Sequence, residues 1–168
     1  MPFSPAGRTI GLCGLHCKID KTQDSYITEG LEAYTKRLKN YTVFETQTIN
    51  VPKNVRLRSI NEQKSEEGKL ILKAILPDDV LILLDEKGKE FTSVDFAKFI
   101  AHKQNASVKR LVFAIGGPFG FGEQIYKRAS AKISLSQLTF SHQMVRLFFV
   151  EQLYRAFTIL KGEKYHHI

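Results

Sequence analysis

Cysteine is scarce in this chain: Cys13 and Cys17 are its only two. That excludes a disulfide scaffold, and no second Cys/His pair stands at zinc spacing, so the two read as small apolar residues and no metal is expected. Long hydrophobic runs are missing too. The most apolar stretch, Leu147 to Leu160, is broken by Glu151, Gln152 and Arg155, which leaves it too short and too polar to cross a bilayer. No membrane partner is expected. A basic-then-apolar signal segment is also lacking at the start, and a cytoplasmic location is expected. Without internal repeats, low-complexity tracts or a long linker, the 168 residues fit one domain with its own core. Acids are under-represented, 17 Asp/Glu against 25 Lys/Arg for a net charge of +8. After Ala101, ten basic residues face only Glu123, Glu151 and Glu163. Such an excess suits a polyanionic partner, because phosphate neutralisation releases counterions, or else a basic surface kept for solubility.

What is present alternates between two periodicities. Leu15, Cys17 and Ile19 alternate with polar residues, as in a half-buried strand. From Ser25 to Asn40 a helical stripe of Tyr26, Ile27, Gly30, Leu31, Tyr34 and Leu38 ends in Lys36, Arg37 and Lys39, where cations suit the helix dipole. Tyr41 to Val51 reads as a strand and Ile60 to Ile75 as a polar helix. Val80-Leu81-Ile82-Leu83-Leu84-Asp85 is an unbroken apolar run of the kind that parallel strands covered on both faces carry. A turn over Glu86 to Lys89 and a helix over Val94 to Gln104, capped by Ser93, follow. The grammar then repeats: a strand Leu111 to Ile115, a glycine loop, a helix Glu123 to Ala129, a short strand Ile133 to Leu135, a loop Ser136 to Ser141, and a helix Ser141 to Lys161. The pattern predicts an α/β fold: a mainly parallel sheet with helices on both faces.

Ligands of open α/β sheets bind in the crevice beyond the carboxyl ends of the strands. Three such ends combine turn residues with exposed backbone: Leu84-Asp85, Gly116 to Gly122, and Ser136 to Ser141. They are expected to converge on one small-molecule pocket. The glycine loop lacks the Gly-Lys-Ser/Thr of a P-loop, and Ile125 stands where a dinucleotide fingerprint needs its third glycine. A nucleoside triphosphate or NAD site is therefore not expected. Its glycines suit either a close backbone approach to a ligand or a tight turn alone. The last helix is apolar nearly all round, so it is sunk in the core or covered by a second subunit, and a homodimer is expected. His142 and Arg146 share one face at its start, and Glu151 and Arg155 repeat the spacing as an ion pair. Tyr165, His166 and His167 form a cationic-aromatic tail able to stack on a base and touch phosphate.

Four segments carry a resemblance: Leu83 to Lys89, Phe113 to Gly120, Ser134 to Arg146, and Glu151 to Ala156 together with Tyr165-His166. In order and spacing they resemble the RlmH family of SPOUT methyltransferases, over about Lys21 to His167. The resemblance implies a homodimeric α/β fold with a C-terminal trefoil knot, and S-adenosylmethionine as methyl donor without a metal. By position, Leu84, Gly116, Gly117, Ser136, Gln137, Leu138, Thr139, Phe140 and Ser141 would contact the donor. The substrate it implies is a pseudouridine in helix 69 of 23S ribosomal RNA, methylated at N3 on the ribosome. His142, Arg146, Arg155, Tyr165 and His166 are the candidates for substrate placement and charge stabilisation. The start departs from the family, with Ile19-Asp20-Lys21 where a Val-Gly-Lys ending is usual and an extension over Met1 to Gly11. Two other readings are compatible with the same features: a SPOUT enzyme acting on another RNA such as transfer RNA, and a non-catalytic RNA-binding factor of ribosome assembly.

Overall fold

The computed structural model describes residues 14–19 as backbone, and 22–106 and 108–167 with their side chains. The expected extension over 1–11, Cys13, Asp20 and the side chain of Cys17 lie outside the described residues. In chain order the elements are β1 (Gly14–Ile19), α1 (Ser25–Leu38), β2 (Phe44–Ile49), α2 (Lys53–Arg56), α3 (Ile60–Ala74), β3 (Val80–Glu90), α4 (Ser93–Asn105), β4 (Leu111–Ile115), α5 (Glu123–Arg128), β5 (Ala131–Ser134) and α6 (His142–Leu160). The five strands form one sheet in the order β2-β1-β4-β3-β5, with each pairing parallel.

The unbroken apolar runs of β3 and β4 are explained by two cores, one on each face. Leu81 and Leu83 with Val112 and Ala114 pack beneath α2, α3 and α5. Ile82 and Leu84 with Leu111, Phe113 and Ile115 pack beneath α1, α4 and α6, where the Phe113 and Phe149 rings lie 4.6 Å apart. Each fully buried side chain of this size is worth about 1.5–3 kcal/mol, so the two central strands carry much of the stability. At the amino end of β3 the Asp79 carboxylate takes both Arg110 donors, one at 2.8 Å, and the Leu76 amide. Arg128 closes this end by donating to the carbonyls of Leu76, Pro77 and Asp79.

Two local expectations change. The cap of α4 is Thr92, whose hydroxyl accepts the Asp95 amide at 3.1 Å from an extended backbone. Ser93 is already helical and instead donates to Gln152 of α6 at 2.8 Å. The turn expected over Glu86 to Lys89 is absorbed into β3 as an irregularity, with pairing to β5 resuming at Lys89 after a register shift. Gly88 permits it. A Cβ there would meet the backbone of Ile133 and Lys132 at 2.5–2.7 Å, so only glycine lets β5 pass this closely.

Candidate active site

The sheet order brings three strand ends level with one another. Leu84 pairs with Ile115 on one side and with Ile133 on the other, so β4, β3 and β5 finish side by side. The loops that leave them have nowhere to go but over the same crevice. They enclose a cavity of about 530 Å³, within the range of about 300–1,000 Å³ usual for small-molecule sites. Leu84, Gly116, Gly117, Ser136, Leu138, Thr139, Phe140 and Ser141 all line it. Gln137 does not, because its amide turns outward to the Glu90 carboxylate at 3.3 Å.

Each loop is fixed by its own short-range bonds. In the glycine loop Gly120 adopts φ 74°, a left-handed conformation that glycine alone enters freely, and its amide donates to the Gly117 carbonyl at 3.1 Å. A Cβ on Gly117 would lie 3.1 and 3.2 Å from the two Glu67 carboxylate oxygens. After β5, the Ser134 hydroxyl donates to the Ser136 carbonyl and the Ser136 hydroxyl accepts the Leu138 amide, both at 2.9 Å, which folds a serine turn. Ser141 then caps α6 by accepting the Met144 amide at 3.3 Å. The loops that line the cavity are therefore held in place by their own bonds before any ligand arrives.

Asp85, expected at one of the strand ends, lines the wall, and side chains to which sequence reasoning assigned no site role complete it: Glu86 and Lys87 come from the irregular stretch of β3, Lys64 from α3 and Tyr126 from α5. Asp85 accepts the Lys87 amide at 2.8 Å and the Tyr126 hydroxyl at 2.5 Å. Burial first, then the bond to Asp85, push the Tyr126 phenol up to about 12, so it stays a donor at neutral pH. No sequence signal links two residues 41 positions apart. Among the described residues, no group of three or more His, Cys, Asp or Glu is placed to hold a metal ion, and no helix is long and apolar enough to cross a membrane.

The five candidates for substrate placement divide. His142 lines the cavity at the first residue of α6. One turn on, Arg146 is fully buried and donates to the Thr22 hydroxyl at 3.1 Å; it ties the segment after β1 to α6 and does not line the cavity. Arg155 lies 13 residues beyond His142, about 20 Å along the helix axis. There it forms the expected ion pair with Glu151, donating from Nε at 3.1 Å. The guanidinium also covers the Tyr165 ring at 4.7 Å and approaches His166 Nδ1 at 3.4 Å. Tyr165 donates to Glu151 at 3.0 Å, and its hydroxyl lies 3.2 Å from that of Tyr34. The Glu151 carboxylate, against the opposing effect of burial, holds Arg155 still more firmly protonated. Burial, Tyr34 and Glu151 raise Tyr165 well above the usual phenol range. Arg155, Tyr165 and His166 are thus one cluster; His142 belongs to the other.

The family model described as "Predicted SPOUT methyltransferase" matches residues 16–166. A protein of Cytophaga hutchinsonii named ribosomal RNA large subunit methyltransferase H is 57% identical over 149 residues, which is 89% of this chain and 96% of that protein. Proteins of the same name from Parabacteroides distasonis and Flavobacterium psychrophilum are each 55% identical over 149 residues, 89% of this chain and 95% of theirs.

Proposed function

This chain belongs to the RlmH family of SPOUT methyltransferases, and we propose on that footing that it transfers a methyl group from S-adenosylmethionine to N3 of a pseudouridine in helix 69 of 23S ribosomal RNA. The observation that carries the reading is the convergence of three separate chain segments, at residues 84–87, 115–121 and 133–142, on one cavity. A cytoplasmic, single-domain chain acting as a homodimer completes the proposal.

The residues present fit the donor. The volume is ample, and the glycines at 116 and 117 let the loop pack closely, the first against the Gly120 backbone and the second against the Glu67 carboxylate behind the wall. Leu84, Gly116, Gly117, Ser136 and the stretch from Leu138 to Ser141 would hold it, without Gln137. When bound, the donor supplies an already electrophilic methyl group on a sulfonium. The chain has to bring the acceptor nitrogen into line with that group and keep water out. N3 of pseudouridine carries a proton, so its loss leaves an anion that a fixed cation stabilises. Arg155 is that cation, oriented by Glu151, with Tyr165 and His166 placing the base. His142, at the cavity rim, guides the base toward the donor.

Within one protomer the tail cluster and the cavity stand about 20 Å apart along α6. A homodimer that sets the tail of one copy against the cavity of the other gathers both halves. Phe148 and Leu138, exposed by 38% and 72% beside the cavity end of α6, supply apolar surface for such packing. The family's trefoil knot belongs to the same proposal.

Incubating purified ribosomes that lack the modification with methyl-labelled S-adenosylmethionine, then mapping the labelled nucleotide, tests the reading. Label on the helix 69 pseudouridine is expected. Label confined to another RNA, or a labelled product that appears equally without the protein, would sink it, and absence of calorimetric heat with S-adenosylmethionine would turn the chain into an RNA-binding module.

A further inference from the structure

The far end of α6 also meets the last turns of α1, and the contact is built from alternating cations and rings. The Arg37 guanidinium lies 5.2 Å from the Tyr34 centroid and 5.7 Å from that of Tyr154. Tyr154 meets Tyr165 nearly edge-on at 4.8 Å, and Arg155 covers the other ring at 4.7 Å. Tyr34 and Arg37 stand three apart, hence side by side on the helix. Lys36 and Lys39 flank Arg37 in the sequence, Lys161 and Lys164 flank the tail, and all four are exposed. Of the acids of this region Glu151 is paired with Arg155 and bonded by Tyr165, while Glu163, bonded by the neutral Tyr41 hydroxyl at 2.6 Å, and Glu32 stay exposed and charged. Arg37 and the four lysines outnumber them, so the surface carries net positive charge on an aromatic bed.

We propose that Arg37, with Tyr34 and Tyr154, extends the tail cluster into a docking surface for a ribosomal RNA loop, in which the Arg37 guanidinium holds a backbone phosphate. The inference rests on the reading that ribosomal RNA is the substrate and adds residues of α1 to it. The chemistry selects RNA. A guanidinium presents a planar fork that matches phosphate oxygens, and aromatic faces accept the unstacked bases of single-stranded loops. Two rings beneath Arg37 hold it in place beforehand, which lowers the entropy lost on binding. The exposed lysines on either side supply the long-range attraction that steers a polyanion to this end.

A matched comparison lies on α4, where Lys103 is held over the Phe99 ring at 5.3 Å, outside the cluster of Arg37, Tyr34, Tyr154 and Tyr165. Affinity for purified large ribosomal subunits is measured over a range of salt for the wild type, Arg37→Gln, Arg37→Lys and Lys103→Ala. A lost phosphate contact lowers the slope of log affinity against log salt by about 0.7–0.9. Arg37→Gln should show that fall and bind about tenfold more weakly near physiological salt. Arg37→Lys should regain the slope, and Lys103→Ala should match the wild type. A wild-type slope in Arg37→Gln overturns the proposal and hands the patch to an acidic protein surface or to solubility. An equal fall in Lys103→Ala overturns it as well, since the charge effect would then be general. If the wild type itself shows no salt-dependent affinity for the subunits, the ribosomal reading fails with it; calorimetry with S-adenosylmethionine reports separately on the cavity.

Discussion

The two ends of α6 are built by opposite means. At its amino end the cavity is lined by loops that local backbone bonds hold, among them a glycine loop and a serine turn. At its carboxyl end the surface is made of side chains, with Arg155, Glu151, Tyr165, Tyr34 and His166 locked in one network. The difference teaches where each end is vulnerable. A wall of closely packed loops tolerates many side-chain changes but not added bulk, whereas a side-chain cluster tolerates bulk nearby but not truncation.

Four changes break or sharpen that contrast. Gly117→Val crowds the Glu67 carboxylate behind the cavity wall and forces the glycine loop to shift; affinity for S-adenosylmethionine should drop on the order of 10³-fold, about 4 kcal/mol by calorimetry. An affinity within a few-fold of wild type would show that the position of the glycine loop does not matter to the cavity. Asp79→Asn is the control at the opposite end of the strands, disrupting a carboxylate that is 3% exposed and its Arg110 partner. Unfolding stability should fall by about 3 kcal/mol, with donor affinity of the folded protein unchanged. Burial works against ionisation of Asp79, but the Arg110 bonds, the Leu76 amide and the Arg128 charge outweigh it and lower its pKa. A carboxyl depressed in the folded state stabilises above its unfolded pKa, near 4, and loses that contribution as pH falls below it. The gap between wild type and Asp79→Asn in chemical denaturation should therefore close from about pH 4 downward.

Arg155→Ala removes the cation of the side-chain cluster. Turnover on ribosomes should drop about 100-fold, or about 2.7 kcal/mol, while donor affinity stays within twofold. Equal loss of both would merge the two ends into one site within the protomer. The smallest effect belongs to Ser141→Ala, which removes the cap of α6 at the cavity rim. It should cost about 1 kcal/mol of stability in denaturant unfolding, and an unchanged midpoint would mean the cap bond at 3.3 Å contributes nothing.

The central strands and the converging loops are legible in the sequence because a strand buried on both faces has no polar position, and its ends must carry turn residues. That reasoning finds β3, β4 and the cavity segments. It misses α2, four residues that bury only Val55, since so short an element has no period to read. The spacing of His142 and Arg146 shows that they share a helix face. It does not reveal that the second residue is turned inward to Thr22, because burial depends on a partner 124 positions away. Tyr34 is seen only as one apolar position of α1, yet it meets Tyr165 across 131 residues. Gln137 sits in a loop, where no periodicity says which side chains turn out. Pairings between distant elements are the illegible part, and the tail cluster is made of them.

The placement of β5 beyond β3, at the sheet edge, sets a timetable for the chain during its synthesis. One wall of the cavity comes from beyond residue 130, so a nascent polypeptide halted before Ala131 ends β3 and β4 against open water. The cavity therefore closes only when the last strand and the loop behind it have emerged and docked. Long-range pairing of this kind is slow to form. The polypeptide completes its cavity late, when nearly all of it has been made.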